Sequence, residues 1–407
     1  MALAAGPSGP STLVHRQGIA AGRAAWERLE DRPSFYFTHP WLTAMGETVS
    51  PDLSLLLTTR SDGRPLAGLP VARMGPLDYA PYDPVRILLS ATWPGRDSLR
   101  DELDLCLKPF RADPCALYPG LSSVAPGFMG GVCLSPELTT PQARNEAATG
   151  ALKALEAEAA ASGCALAALL YVPDDPASPL PAAARELGWK SAVIAGESRL
   201  EVRWSSFDEY LASRSRDRRQ SIRAEIRSFA QRGLRIDSGG AEALDDSLAP
   251  LHAQWRSKYG RAVAPADLVR QYALARRHLA DSIQVFLARR GDRTVAFSLF
   301  YEHAGVLYSR ALGFDYAETA GDFTYFNLLF YEPIRAAIEQ GLYLIHYSLE
   351  SYETKVRRGC RVRPCRAYVK PLNGAAARLC ACLPLLDAGM SGYIASLEGR
   401  PAAGASP

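Results

Sequence analysis

The chain has 407 residues, of which 48% are hydrophobic and 22% are charged, and its formal net charge is +3 at pH 7. This length predicts about two to three domains that can each bury a core. The small net charge argues against a generally basic protein that coats nucleic acid, and we expect no DNA partner. The start of the chain lacks a cationic stretch followed by an apolar core, and no apolar run is expected to reach the roughly 18 residues of a membrane span. We therefore expect no membrane insertion and a cytoplasmic location.

The first 30 residues are predicted to form an extension that precedes the main fold. Residues 1–15 begin with an Ala-, Gly- and Pro-rich stretch that is typical of disorder, and residues 16–30 resemble a short helix. Two lobes are predicted to follow, over residues 31–203 and 204–372. A C-terminal helix and a loose Pro/Ala/Gly tail are expected over residues 373–407.

A weak internal repeat indicates that the two lobes are similar. Residues 54–60 and 65–71 flank an Asp/Gly turn, as do residues 284–289 and 294–301, and both pairs read as β-hairpins. In the first lobe an alanine-rich helix over 141–163 and a strand over 165–172 follow. In the second lobe a strand over 306–313, a helix over 322–340 that breaks or bends at Pro333, and a strand over 343–348 follow. The pattern predicts an α/β fold with two similar lobes.

The second lobe opens with an arginine-rich helix over residues 214–234. Residues 213–235 contain eight arginines and only two acids, Asp217 and Glu225. At about 100° per residue, four arginines form one stripe beside an apolar face, a Ser at 213 or 215 caps the start, and Gly233 ends the helix. Guanidinium groups bind phosphate oxygens in pairs. The stripe is predicted to bind phosphate or charged tRNA, and its members are Arg216, Arg219, Arg223 and Arg227.

The eight cysteines are scattered along the chain, and we expect buried thiols rather than a disulfide framework. Their spacing does not match a zinc knuckle, and no metal is predicted. The chain also lacks a Gly-x-Ser-x-Gly elbow, a Walker loop and a dinucleotide fingerprint, which argues against the corresponding hydrolase and nucleotide-binding chemistries.

Several motifs resemble Fem-like, two-lobed members of the Gcn5-related N-acyltransferase (GNAT) superfamily. The resemblance spans residues 35–370 at low identity. It rests on an aromatic helix followed by a glycine and a Glu-x-Lys that leads to Arg-Gly, on the arginine helix, and on two aromatic segments near the start. These are residues 325–332, Gly341, 353–359, 214–234, 38–41 and 79–83.

The resemblance implies two tandem GNAT-like lobes, each a mixed but mainly antiparallel sheet flanked by helices, and the transfer of an acyl group to an amine. It also implies that Lys355 donates to the oxyanion or to a phosphate of the donor. Users of acetyl-CoA carry a glycine-rich turn that holds the pyrophosphate. Here the corresponding residues 315–322 are acidic and include one glycine. This difference favours aminoacyl-tRNA as the donor. The only other glycine-rich turn, residues 125–131, equally fits a plain hairpin end.

Candidate site residues cluster near the end of the second lobe. If the strand that contains His346 runs far enough, His346, Ser348 and Glu350 share one side. The predicted catalytic residues are Lys355, Glu350 and His346. Predicted substrate-binding residues are Tyr308, Tyr325, Asn327, Tyr352 and Glu353, and Arg358 joins the four stripe arginines in the predicted phosphate site.

Three functions remain open from the sequence. The first is an aminoacyltransferase that uses charged tRNA, requires no cofactor and acts on a small-molecule or peptidoglycan-type amine acceptor. The second is an acyl-CoA-dependent N-acyltransferase that acts on a small metabolite. The third is a catalytically silent protein that binds nucleotide sugars or RNA.

Overall fold

A computed structural model describes residues 13–29, 34–48, 52–77 and 80–399. The predictions for residues 1–12, 30 and 400–407, and Tyr79 of the aromatic segment, lie outside this part of the chain. The strands are β1 Leu13–Gly18, β2 Ser54–Thr59, β3 Pro65–Met74, β4 Gly120–Ser123, β5 Cys133–Leu134, β6 Leu166–Pro173, β7 Lys190–Glu201, β8 Leu234–Gly239, β9 Ile283–Arg290, β10 Arg293–His303, β11 Val306–Phe314, β12 Leu344–His346 and β13 Arg361–Pro371.

Helices account for most of the remaining regular structure. They are α1 Arg23–Trp26, α2 His39–Thr48, α3 Pro84–Ser90, α4 Ser98–Ala112, α5 Pro141–Ala161, α6 Leu180–Glu186, α7 Phe207–Ala212, α8 Arg216–Gln231, α9 Ala249–Lys258, α10 Pro265–Leu279, α11 Thr324–Phe326, α12 Glu332–Glu339, α13 Tyr352–Val356, α14 Gly374–Cys380 and α15 Leu383–Leu397.

The chain forms two compact units, residues 1–196 with 363–407, and residues 197–362. This division differs from the predicted lobes. The boundary lies within β7 rather than after residue 203, and the chain from Arg363 onward belongs to the first unit. The reason for the return is strand pairing, because residues 365–371 of β13 pair with β6 of the first unit.

The two units repeat one strand order. In the first unit β2, β3 and β4 are antiparallel neighbours, α5 crosses over, and β6 pairs parallel with β4. In the second unit β9, β10 and β11 are antiparallel neighbours, α12 precedes the return, and β12 pairs parallel with β11. The predicted α/β fold with two tandem GNAT-like lobes and both predicted hairpins are therefore confirmed.

Three local predictions differ from the structure. Residues 13–18 form a strand that pairs with β2, which leaves only α1 of the helix predicted over 16–30. The helix that was expected to break or bend at Pro333 does not break there: it passes through a π-helical turn, Asn327–Tyr331, and continues through Pro333 as α12. The strand that was expected to reach Ser348 ends at His346.

The C-terminal helices pack into the core of the first unit. A disulfide joins Cys106 on α4 to Cys382 between α14 and α15, so the expectation of free thiols is wrong for this pair. The two cysteines are 276 residues apart, and no local spacing signals their pairing. The other six cysteines form no disulfide; Cys115 is exposed and the remaining five are buried.

By length and composition, the segment Gly374–Leu397 could span a membrane. Its mean hydropathy is 1.3, and 44% of that apolar stretch is buried within the fold. No apolar run of this length was expected, and this segment also contains Arg378 and Asp387. Soluble core helices also meet this criterion, and Asp387 accepts hydrogen bonds from the Val193 amide and from Arg366, both at 2.8 Å.

Packing of α15 against the first unit can be tested at two glycines of the same helix. A Cβ atom at Gly389 would lie 2.2 Å from the ring of the buried Trp93, whereas a Cβ at Gly392 would meet nothing within 4 Å. We expect Gly389→Ala to lower the free energy of unfolding by about 1–3 kcal/mol, because the ring must shift. The control Gly392→Ala should raise it by about 0.5–1 kcal/mol. Urea unfolding measures both, and equal effects would contradict this packing.

Candidate active site

The candidate site lies where β11 and β12 of the second unit stop pairing. The last pair is Tyr308 with His346, although β11 continues to Phe314. A bulge interrupts the pairing of β10 with β11 at Leu299 and Phe300, directly beyond this point. The carboxyl ends of neighbouring parallel strands form a crevice in which α/β proteins bind ligands. Tyr308 and His346 end the paired segment, and Lys355 contacts carbonyls of the residues that follow β12.

The chain leaves β12 through a strained segment. Ser348, Glu350 and Ser351 have φ values of 57°, 64° and 50°, which are left-handed and unusual for residues other than glycine. Each such residue costs about 1–3 kcal/mol and persists only where its surroundings hold it in place. We refer to residues 347–351 as the edge loop.

Lys355 holds the edge loop in this conformation. Its Nζ donates hydrogen bonds of 2.7 Å to the carbonyls of Tyr347 and Leu349, and its side chain is buried. Burial lowers the pKa of Lys355 from its usual 10.5 to about 8. Two of its donors are therefore occupied by backbone carbonyls. This placement differs from the expected contact with an oxyanion or a donor phosphate, and it supports a positioning role.

His346 is part of a buried polar pair behind the edge loop. Its Nε2 lies 3.1 Å from Glu197 Oε2, and the Ser348 amide donates to its Nδ1 at 3.3 Å. These contacts assign the neutral tautomer with the proton on Nε2. Arg199 lies 3.7 Å from the other Glu197 oxygen. Both imidazole nitrogens are therefore used within the protein, and the ring fixes the end of β12.

Glu350 lies in the edge loop and is open to solvent. Its side chain is 73% exposed, and one carboxylate oxygen lies 3.4 Å from Arg261. The prediction that His346, Ser348 and Glu350 share one side of a strand is wrong, because the strand ends at His346 and the next residues adopt left-handed conformations. Glu350 therefore presents an exposed carboxylate at this edge.

The predicted substrate-binding residues fall into different environments. Burial raises the pKa of Tyr325 to about 12, so its hydroxyl remains a donor at neutral pH, and its ring lies 6.2 Å from that of Phe314. Asn327 is buried and donates to the Phe323 carbonyl at 3.0 Å, which indicates a structural role. On α13, Tyr352 is buried and Glu353 is exposed. The ring of Tyr308 lies 5.4 Å from His346.

The arginine helix forms as predicted, with Ser215 as its cap and Gly233 at a φ of 70° after its end. Its buried face carries Ile222, Glu225 and Phe229. The four stripe arginines lie about 120° to 200° around the helix from Glu225, so they face away from the core. Three of them are exposed, and the fourth, Arg219, donates to the carbonyls of Ala212 and Arg214.

Arg358 does not belong to the phosphate stripe. Its guanidinium donates to Glu225 at 2.9 Å and to the Tyr331 hydroxyl at 3.2 Å, and it lies 3.7 Å from the centre of the Phe326 ring. Arg358 and Glu225 are both largely buried. Its predicted role in phosphate binding is therefore wrong, because its charge is already neutralised inside the unit.

The turn that would hold a pyrophosphate in acetyl-CoA users is occupied by its own carboxylates. Asp315 Oδ1 accepts from the Ala317 amide at 3.1 Å, and Asp322 Oδ1 accepts from the Thr324 amide at 3.0 Å. Arg293 lies 2.6 Å from Asp315. Backbone donors at this turn already have anionic partners, and a pyrophosphate would have to displace them.

The equivalent edge of the first unit is filled by residues 125–131. Phe128 lies between the rings of Tyr82 and Tyr171, at 5.7 and 5.6 Å, and the Gly130 amide donates to the Tyr171 carbonyl. An antiparallel bridge joins Ala125 to Met129. Of the two sequence-based readings of this segment, the hairpin end matches the structure.

Sequence reasoning missed the residues that hold the site together. A buried role for Glu225 could have been predicted, because it is an acid between Ile222 and Phe229 on the apolar face of the helix. The roles of Glu197 and Arg261 could not have been predicted from local sequence, because long-range contacts bring them to His346 and Glu350. Within residues 13–29, 34–48, 52–77 and 80–399, no group of three or more His, Cys, Asp or Glu residues is arranged to hold a metal ion.

Solved structures with a similar fold include FemX. FemX matches with 10% identity and a TM-score of 0.56, over 90% of this chain and 99% of FemX. The C-terminal domain of a protein assigned as a lysylphosphatidylglycerol synthetase from Agrobacterium fabrum matches with 14% identity and a TM-score of 0.51, over 90% and 96%. A tandem GNAT protein from the clavulanic acid pathway matches with 10% identity and a TM-score of 0.46, over 89% and 99%.

Residues 120–369 match the FemAB-like family, described as peptidoglycan biosynthesis or recognition. The match covers more than half of the chain, and the protein belongs to this family. No curated protein sequence matches it. Family and fold together support an acyltransferase that acts on an amine.

The buried lysine predicts a specific pH dependence of stability. Because the pKa of Lys355 is about 8 in the folded protein and 10.5 when the group is solvated, the unfolded chain holds a proton between these values that the folded chain has released. Stability therefore rises with pH in this window. Relative to Lys355→Met, wild-type protein should gain about 1 kcal/mol of unfolding free energy per pH unit from pH 8 to 10. The control variant Lys258→Met keeps Lys355 and changes an exposed lysine. Its unfolding free energy should therefore change with pH in parallel with that of the wild type. A wild-type curve parallel to that of Lys355→Met would refute the buried position.

Proposed function

We propose that this protein is a cytoplasmic aminoacyltransferase that moves an aminoacyl group from charged tRNA to the amine of a peptidoglycan-type precursor or another small acceptor. The observation that carries the choice of donor is the turn at residues 315–324, where Asp315 and Asp322 accept hydrogen bonds from backbone amides. A CoA pyrophosphate would need such donors. FemAB-like family membership supports the peptidoglycan-type acceptor.

The reaction requires a neutral amine beside an ester carbonyl. The amine nitrogen bonds to the carbonyl carbon, and the bond from that carbon to the ribose oxygen breaks. The proton lost by the amine is delivered to the departing ribose oxygen, which becomes a hydroxyl. The oxyanion formed on the way requires hydrogen-bond donors. In this proposal Tyr325, whose hydroxyl stays protonated, donates to the oxyanion, and Glu350 accepts the proton of the amine.

Lys355 and His346 act through the edge loop rather than on the substrate. Lys355 binds two of its carbonyls, and His346 binds the Ser348 amide. Both contacts maintain the backbone conformation that places Glu350 at the surface. Rigid placement of a reacting group contributes several kcal/mol to catalysis, on the order of 7–11 in well-oriented cases.

An acyl-CoA-dependent N-acyltransferase is the alternative function, since the GNAT-type fold serves this chemistry in other proteins. It requires the carboxylates at the 315–324 turn to move away from the backbone amides. A competition between donors therefore separates the two functions.

We expect purified protein offered both labelled aminoacyl-tRNA and labelled acyl-CoA to consume only the charged tRNA in the presence of an amine acceptor. Prior treatment of the donor with RNase should abolish transfer. Glu350→Gln should lower kcat by about 10²- to 10⁴-fold because the proton acceptor is lost. Glu339→Gln, at an exposed position at the end of α12, should leave kcat unchanged. Consumption of acyl-CoA, or transfer that survives RNase, would exclude this donor.

A further inference from the structure

The end of α9 and the turn that follows it carry basic and aromatic residues that the proposed chemistry does not use. The sequence is Arg256-Ser257-Lys258-Tyr259-Gly260-Arg261. Lys258 is exposed, the Tyr259 side chain is 59% exposed, and that of Arg261 is 50% exposed. We refer to residues 256–261 as the platform.

The platform has a defined conformation. The Arg261 amide donates to the Arg256 carbonyl at 3.0 Å, and Arg256 Nε donates back to the Arg261 carbonyl at 3.2 Å. Gly260 has a φ of 69°, which the tight turn requires. The rings of Trp255 and Tyr259 meet edge to face at 5.7 Å. Tyr259 and Arg261 are therefore presented on a preformed turn, which reduces the entropy cost of binding.

An open cavity of about 730 Å³ lies beside the platform. It is lined by apolar side chains of α9 and of the start of α10, with polar groups at Gln254, Ser257, Lys258 and Tyr316. Lys258 Nζ lies 4.2 Å from the centre of the Tyr316 ring. The Tyr316 ring stacks on Phe314, with 5.8 Å between centroids. The cavity thus combines an aromatic surface with a cationic side chain.

The charges around the platform favour an anionic ligand. The acids near Tyr316 are Asp315 and Glu318, and both already pair with arginines of the β9–β10 hairpin, at 2.6 to 3.3 Å. Lys258 has no carboxylate within ion-pair distance among the described residues. Aromatic faces beside cationic side chains are the combination that binds single-stranded nucleic acid, where bases stack and cations meet phosphates.

The platform also reaches the candidate active site. Arg261 contacts Glu350 at 3.4 Å. A chain that followed the platform would therefore end beside the exposed carboxylate of the edge loop. Because the reacting group of the donor must lie at this carboxylate, the platform is expected to bind the terminus of a nucleic acid rather than an internal segment.

We propose that the platform and its cavity bind the single-stranded 3′ end of an RNA, with a base stacked on Tyr259 or Tyr316 and phosphates at Lys258 and Arg261. This inference rests on the proposed function, in which that end carries the aminoacyl group. It assigns donor-end recognition to the platform and not to the outward-facing arginines of α8.

The test is direct binding of a 5′-fluorescent single-stranded RNA that ends in cytidine-cytidine-adenosine, measured by anisotropy at several salt concentrations. Tyr259→Ala should weaken binding about tenfold through loss of stacking, whereas Tyr259→Phe should bind like wild type. Lys258→Ala and Arg261→Ala should each reduce the slope of log K against log salt by about 0.7. A matched control is Tyr343→Ala, since Tyr343 is also 59% exposed but lies beside Gly305, at the start of β11.

Three outcomes would overturn the platform assignment: wild-type affinity in all platform variants, loss of binding only in Arg216→Ala or Arg227→Ala, or displacement of the RNA by CoA with the same sensitivity to Tyr259→Ala. Failure of this inference differs from failure of the proposed function. Transfer from charged tRNA with unaffected platform variants removes the inference alone. Platform-dependent RNA binding with acyl-CoA as the consumed donor removes the proposed function alone.

Discussion

The ion pair between Glu225 and Arg358 is the interaction on which the second unit depends. Removing one partner of such a buried pair leaves an uncompensated charge and typically costs about 3–5 kcal/mol. The pair also fixes the rotation of α8, because Glu225 must face Arg358 and Tyr331. Once it does, the four arginines of the stripe face outward. One acid within a basic helix therefore decides where its cationic surface lies.

The same ion pair holds Arg358, three residues after Lys355, in a fixed position. Lys355 in turn binds the edge loop. Two features accompany the fixed conformation of this short loop. The pKa of the buried Lys355 is lowered, and three residues of the loop adopt left-handed conformations. As a result, the carboxylate of Glu350 lies exposed beside Arg261. The first unit repeats the strand order but fills its own edge with Phe128. The two units thus share a strand order, but their corresponding edges carry different side chains.

Local patterns predicted the fold well, and long-range contacts limited the prediction of the site. Alternation, turn residues and caps located both hairpins and α8, because these signals act within a few residues. Arg358 was assigned to phosphate because its sequence neighbours gave no sign of Glu225, which is 133 residues away. The length of β12 was overestimated, because periodicity does not reveal that Lys355 donates hydrogen bonds to the carbonyls of the residues that follow His346. The Cys106–Cys382 pair was missed for the same reason of distance.

In the proposed reaction, the edge loop receives the carbonyl end of an RNA-borne acyl donor. Hydrogen–deuterium exchange tests it most directly, with the protein free and bound to a charged tRNA in which a non-hydrolysable amide replaces the ester. The account predicts slower amide exchange in residues 347–356 when the analogue is bound, and little change there with uncharged tRNA. Unchanged exchange in this segment, with protection confined to the outward face of α8 or to the first unit, would contradict the account.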